Sequence, residues 1–251
     1  MNKQDVHNII DWIRDYFNKN SFAKGAVVGM SGGKDSFVVA KLCEMALGKE
    51  NVVGVIMPNG KMTDKNDAIT SCELLGIKYV TINIQDAYNC VLDGVEQALN
   101  SFNKQLNSVS TINTAPRIRM TTLYALAGSL EYLVANTSNL SEYEVGYTTK
   151  WGDNVGDFAP IANFTKSEVC EIGILLGLPE NLVNKAPSDG LSGKSDEDKM
   201  GLKYKNLDDY IRFGKESEDL QQIMKMHQIS NHKRVGAIKY HNNLDNFFNK
   251  N

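Results

Sequence analysis

The 251-residue chain has no apolar run near the ~18 residues that a membrane-spanning helix needs, so neither a span nor a membrane partner is expected. Its first twenty residues interleave charge with a helical apolar stripe (Val6, Ile9, Ile10, Ile13, Phe17), which excludes the continuous apolar core of a secretory signal. No CxxC pair occurs among its four cysteines, Cys43, Cys72, Cys90 and Cys170. Reduced, structural thiols in a cytoplasm are expected. The four histidines, His7, His227, His232 and His241, show neither HExxH nor any other ligand spacing, which argues against a zinc site. Nor is there an excess of positive charge: 27 Lys and Arg stand against 30 Asp and Glu, for a net charge of −3. That balance excludes a global field suited to a nucleic-acid backbone. With no internal repeat, low-complexity tract or dividing linker, one domain over residues 1–251 is expected.

What the chain does contain is alternation. Gly25–Gly29 is a short apolar run stopped by glycines, followed by Ser31-Gly-Gly-Lys-Asp-Ser36 and a broad helical stripe through Leu47, with Gly48 suited to cap it. Val52–Met57 reads as a buried strand closed by Pro58-Asn59-Gly60. A helix over about 64–75 and a β-branched, alternating strand over Lys78–Ile84 come next. Helices are expected over about 86–106 and 116–130, and a fourth strand over Tyr132–Ala135. Thr165-Lys-Ser-Glu168 has the form of a capping box. Strand and helix alternating through short connections predict an α/β fold, a Rossmann-like parallel sheet with helices on both faces. The glycine-, serine- and charge-rich stretch over about 188–201 has almost nothing to bury and is expected to be a mobile loop.

The chemistry is concentrated in Gly29-Met30-Ser31-Gly32-Gly33-Lys34-Asp35-Ser36, where a parallel strand hands over to a helix. Backbone N–H groups and the positive helix end converge at such a turn, and glycines let an anion approach. The Walker A pattern fails here, because Val28 stands where its first glycine belongs and Asp35 follows the lysine in place of Ser or Thr. The loop instead resembles the SGGxDS loop of the ATP pyrophosphatase superfamily, whose members cleave ATP between its α- and β-phosphates. Asn113-Thr-Ala-Pro116-Arg117-Ile-Arg119-Met120, the segment from Asn136 to Asp153, Asp157-Phe-Ala-Pro160, Thr165-Lys166, Lys185-Ala-Pro187-Ser188, Asp196-Glu197 and His232-Lys233-Arg234 then follow in an order that resembles the NAD synthetase family. The resemblance spans about residues 5–240.

That resemblance implies a Rossmann-like homodimer that adenylates the nicotinate carboxylate of deamido-NAD with ATP, releases pyrophosphate, and lets ammonia displace AMP. It implies an ATP cradle at Gly29–Ser36, with Thr137, Lys166 and Ser188 as further ATP contacts. Asp35 and Glu142 match the family's Mg²⁺ ligands, hard oxygen donors of the kind that cation prefers. Arg117, Lys150, Asp157, His232 and Lys233 match deamido-NAD contacts, the last two in a C-terminal segment over about 227–240. Asp153 falls near the family's ammonia site, and Lys166 and Asp153 are the implied catalytic pair. Tyr147 and Trp151 bracket Lys150 and suit either ring stacking or core burial. The chain departs from the family pattern at Pro116, where Ala is usual, at Asn136 in place of Gly, and at Ser188 in place of Thr. Free ammonia is the expected nitrogen donor, since the resemblance leaves no block in which a glutaminase of ~50 residues or more could fold.

Overall fold

The computed structural model describes residues 1–184 and 195–238. The first helix, α1 (Lys3–Lys19), starts under a capping box: the Asn2 side chain accepts from the Asp5 N–H while the Asp5 carboxylate accepts from the Asn2 N–H. Its stripe, Val6, Ile9, Ile10, Ile13 and Phe17, is buried in the main core. The sequence leaves this stripe to core or dimer packing; the structure spends it on the core, with Trp12 46% exposed beside it.

Then come β1 (Ala26–Gly29), α2 (Lys34–Leu47), β2 (Val52–Ile56), α3 (Lys65–Leu75) and β3 (Lys78–Thr81). After α4 (Gln85–Asn100) and α5 (Ser108–Leu130) the chain returns as β4 (Leu133–Ala135). The strands pair in parallel in the order β3-β2-β1-β4. Side chains alternate across the sheet. Ala26, Val28, Leu133 and Ala135 join the core shared with α1 and α2, while Val27 and Val134 join the opposite cluster with Ala127 of α5. Helices therefore cover both faces, as the strand runs predict. Because β2 and β4 lie on opposite sides of β1, the crevice beyond the carboxyl ends of β1 and β4 is a topological switch point, where open α/β sheets bind ligands.

The remaining helices, α6 (Leu140–Val145), α7 (Lys166–Leu175), α8 (Glu180–Val183), α9 (Asp196–Met200), α10 (Tyr204–Phe213), α11 (Leu220–Ile229) and α12 (Asn231–Arg234), gather around that crevice and behind it. Val145, Met200, Leu202, Tyr204, Leu207 and Ile223 form a separate small core there. No helix among the described residues is long and apolar enough to cross a membrane.

Three expectations change. The third strand stops at Thr81, not Ile84, and is an exposed edge. Helix α5 begins at Ser108 under an Asn107 side-chain cap, so Pro116 lies inside the helix and removes one of its hydrogen bonds. The loop expected over about 188–201 is helical in its last part, α9, with Ser195 and Asp198 forming a capping box and Met200 buried. Met200 and Leu202 supply the apolar anchor that the polar run around them conceals. Residues 188–194 of that loop, including Ser188, lie outside the described residues.

Candidate active site

At the end of β1 the loop turns through Gly32, whose φ of +82° and whose neighbour, the Asp64 carbonyl, 2.4 Å from where a Cβ would stand, both demand glycine. The Ser31 hydroxyl accepts from the Gly33 N–H at 3.2 Å, and the Ser36 hydroxyl donates to the Gly33 carbonyl at 2.9 Å. The two hydroxyls are 3.2 Å apart. Gly33 caps α2 without a side-chain acceptor, so the first amides of a helix pointing at the switch point are left for an anion. Met30 continues the strand, donating its N–H to the Val55 carbonyl.

Beside this loop stands a buried charge cluster. Lys34, 6% exposed, lies 3.8 Å from the Asp35 carboxylate. Asp35 Oδ1 is buried with no hydrogen-bond partner among the described residues. Glu142, at the start of α6, completes a capping box with Asn139, and its Oε1 accepts from Lys166 Nζ at 3.2 Å. Lys166 Nζ is also 3.5 Å from Asp196 and 3.9 Å from the centroid of the Tyr204 ring. Burial, and then the charge of Asp35, push the Glu142 carboxyl up to about 7 against the pull of Lys166. For Lys166, burial favours the neutral amine, but Glu142 and Asp35 outweigh it and hold the ammonium above its usual range.

This acid pair fits a divalent cation: a buried Asp35 oxygen without a partner among the described residues, a second carboxylate, Glu142, close enough for the charge of Asp35 to raise its pKa, and hard donors throughout. No cluster of three or more His, Cys, Asp or Glu suited to a metal occurs among the described residues. A cation held by two carboxylates would take its other oxygens from phosphate and water.

The exit of β4 links this cluster to a second one. Asn136 donates its side-chain amide to the Asp153 carbonyl at 3.2 Å and Ser138 its hydroxyl to the same oxygen at 3.1 Å, with half-buried Thr137 between them. Asp153 Oδ1 accepts from the Thr149 N–H at 2.5 Å. Burial raises the Asp153 carboxyl pKa, opposed by that hydrogen bond and by the charges of Lys233 and Arg119. Arg117 donates Nε to the Lys150 carbonyl at 3.2 Å. Lys150 Nζ donates to the carbonyls of His232 and Val235, and Lys233 Nζ to those of Gly146 and Thr148. The basic C-terminal residues thus dock on the 146–150 turn. Asp157 does not join them: its carboxylate accepts from the Val134 N–H at 2.7 Å and from the Tyr124 hydroxyl at 3.3 Å, closing the edge of β4.

With this geometry in place, the model of the NAD synthase family matches residues 5–244. The chain belongs to the NAD synthase family. It is 40% identical over 235 residues to the NH(3)-dependent NAD(+) synthetase of Carboxydothermus hydrogenoformans, covering 92% of this chain and 95% of the relative. Identity to the enzyme of that name from Methanococcus aeolicus is 45% over 204 residues, 79% of each chain. Among solved structures, NMN synthetase from Francisella tularensis superposes with a TM-score of 0.83 at 36% identity, over 96% of this chain and 99% of that one. NH3-dependent NAD synthetase from Campylobacter jejuni does so with a TM-score of 0.74 at 30% identity, over 96% and 100%.

The structure brings to the site four side chains that sequence reasoning gave no role, three of them, Asn113, Arg119 and Asp196, within the segments that carry the resemblance. Asp196 touches Lys166 and accepts from the Tyr147 hydroxyl at 3.2 Å; Tyr204 lies under Lys166. Arg119 donates Nε to the Met57 carbonyl at 3.0 Å and faces the charge of Asp153, while Asn113 accepts from the Thr149 hydroxyl at 2.9 Å. The Ser195–Asp198 capping box is the one local signal that places Asp196 on a helix start. Of the two aromatics that bracket Lys150, Tyr147 packs against the small core and Trp151 is 52% exposed, at φ +62°.

Proposed function

We infer that this chain performs ATP-dependent amidation of deamido-NAD to NAD with ammonia, through an acyl-adenylate, releasing AMP and pyrophosphate. Membership of the NAD synthase family carries the activity. One observation in the site supports its chemistry most directly: Asp35 Oδ1 is buried and unpartnered beside the uncapped start of α2 and the Glu142–Lys166 pair. A carboxylate becomes an acyl donor only when its oxygen is made part of a good leaving group, and pyrophosphate leaves only when its charge is matched.

The loop Gly29–Ser36, with Thr137 and Lys166, would receive ATP, the amides of Lys34 to Ser36 facing its phosphates and Lys166 pairing with them as a point charge. Ser188 belongs to the same proposed set. Asp35 and Glu142 would hold Mg²⁺, which would supply charge compensation at the phosphates. Arg117, Lys150, His232 and Lys233 would line the deamido-NAD end, and Asp153, close to Arg119 and raised in pKa, would hold ammonium and take its proton. Asp157 belongs to the same proposed deamido-NAD set and also ties that end to β4. The stretch over about 188–201, which ends in α9, would act as a lid, excluding water that would hydrolyse the acyl-adenylate. A reducing, cytoplasmic setting agrees with the free thiols of Cys43 and Cys72, both buried.

A homodimer belongs to this reading, and its support comes from a different place than α1. None of α4 is buried and only Ala127 of α5 is, while Val91, Val95, Val109 and Ile112 stand exposed on these two helices. A long apolar helix pair with one uncovered side suits an isologous contact with a second copy. Sedimentation equilibrium should give twice the chain mass at micromolar concentration; a monomer there overturns it.

The activity is tested by measuring AMP and pyrophosphate release from ATP and Mg²⁺, with and without deamido-NAD and ammonium. Release should require deamido-NAD, and NAD should appear with ammonium but not with ammonium-free glutamine. Because one structural relative is an NMN synthetase, nicotinate mononucleotide is the informative rival substrate. A kcat/KM equal to or above that for deamido-NAD would reassign the substrate while leaving the chemistry intact.

A further inference from the structure

We propose that Asp208, which touches neither cluster's ligand-facing groups, is the positioning residue that fixes Lys166 against Glu142. The proposal rests on the amidation reading above and deepens it. Asp208 lies on α10 and is 6% exposed. Its Oδ1 accepts from the Ser141 hydroxyl at 2.5 Å; its Oδ2 accepts from the Ser167 N–H at 2.9 Å and from the Ser167 hydroxyl at 2.5 Å. The Ser141 hydroxyl in turn accepts from the Lys166 N–H at 3.0 Å.

One carboxylate therefore ties together the first turns of α6 and α7, and the residues it ties are the chain neighbours of Glu142 and Lys166. A connection over 146–165 without a helix or strand of its own joins these two consecutive helices, so the chain between them does not by itself set the distance between their functional side chains. The 3.2 Å contact between Lys166 and Glu142 depends on how the two helix starts are held. A charged acceptor shared among three donors is a stronger tie than a neutral one, and a negative charge is favoured at a helix start.

The rest of α10 supports the same function. Tyr204, Asp208 and Arg212 are spaced four residues apart, on one face of the helix. They meet three consecutive residues of α7: the Tyr204 ring lies under Lys166 Nζ, Asp208 holds Ser167, and Arg212 pairs with the Glu168 carboxylate at 2.5 Å. Glu168 closes the capping box with Thr165, so Arg212 fixes the residue that ends α7 on that side. Arg212 also donates to the Asn163 carbonyl, just before the helix. Helix α10 is in this sense a three-point brace for the start of α7, with Asp208 the point that also holds α6 by a hydrogen bond.

The prediction is specific to the step that Lys166 serves. Asp208→Asn keeps the shape but replaces an acceptor oxygen with an NH₂ that faces donors. In the folded variant, kcat for pyrophosphate release should fall by about 10-fold to 100-fold, the range of a misplaced reactive group, while KM for deamido-NAD stays within about 2-fold. Two further variants separate positioning from general damage. Ser141→Ala/Ser167→Ala removes both hydroxyl donors and leaves the carboxylate; it should reproduce the same split at smaller size, and it answers the question if Asp208→Asn does not fold. Lys166→Ala supplies the cycle: in that background Asp208→Asn should cost less than about 2-fold more, because the group it positions is gone. Full multiplication of the two losses, or a rise in KM for deamido-NAD equal to the fall in kcat, overturns the proposal. So does unchanged kcat in both Asp208→Asn and the double serine variant. A wild-type chain that releases no pyrophosphate under these conditions would instead overturn the amidation reading, so the two failures are distinct.

Discussion

The two ends of the site are built in opposite ways. At the proposed phosphate end, a single stretch of eight residues, from the last residue of β1 into the first turn of α2, supplies most of the groups, and its shape is enforced by backbone: a left-handed Gly32, two serine hydroxyls locked to Gly33, and an uncapped helix start. At the proposed dinucleotide end, the charged side chains come from α5, the 146–157 turn and α12, and the long basic ones are engaged with carbonyl oxygens. The first end has the form of a preset socket for an anion. The second is a set of basic side chains that hold two chain segments together and present only their remaining donors to a ligand. Loss of one group should therefore disable the first end outright and only loosen the second.

The largest expected effect lies in the acid pair. Asp35→Ala and Glu142→Ala should each lower pyrophosphate release by about 10²-fold or more, the scale for removing an electrostatic group at developing charge. Near-normal release at saturating Mg²⁺ in either variant would remove that residue from the cation site. At the other end, Lys150→Met and Lys233→Met should raise KM for deamido-NAD by about 10-fold with kcat changed much less, since they set the seat of α12 and not the reacting atoms. A fall in kcat without a change in KM would erase the distinction between the ends. Gly146→Ala should behave like them: its φ is +64° and a Cβ would stand 2.1 Å from Ser230 Cβ, so the docking of α12 on the turn would have to open.

The same contrast governs what could be read from sequence. The strand–helix order, the loop Gly29–Ser36 and the Thr165 cap are local patterns, because strand periodicity, glycine and capping residues act within a few positions. Helix α9 was hidden because its anchor, Met200, is a single apolar residue within a polar run, and its burial depends on α10 and α11 folding over it. Asp157 carries the opposite lesson. Its place in a family motif reads as a ligand contact, and its hydrogen bonds to Val134 and Tyr124 add a structural tie that no spacing reveals. Asp208 is the extreme case, since its three donors sit on residues 141 and 167 and nothing in YKNLDDYIR singles out one aspartate from the next.

The smallest expected effect is also the one that bears most directly on whether the phosphate end is tuned for a cation. Glu142 is raised from the ordinary carboxylate range to about 7 in the folded chain by burial and by Asp35. Between the unfolded value and about 7 the folded state binds a proton that the unfolded state does not, so this group's contribution to stability falls as pH rises through that window and stays low above it. A divalent cation held by Asp35 and Glu142, as proposed, would replace that proton; at pH 6 it would have to displace it, whereas at pH 8 it would not. Stabilisation by Mg²⁺ with ATP, read as a shift in Tm, should accordingly be larger at pH 8 than at pH 6, by a few degrees on the scale of ~2–4 °C per kcal/mol for a chain of this size. Other groups titrate in the same interval, so the difference between wild type and Glu142→Gln carries the result. The variant, with nothing to displace, should show a Mg²⁺ shift that is small and flat across the two pH values. A shift as large and as pH-dependent in Glu142→Gln as in wild type would mean that the cation sits elsewhere and that the raised carboxyl serves only its pair with Lys166.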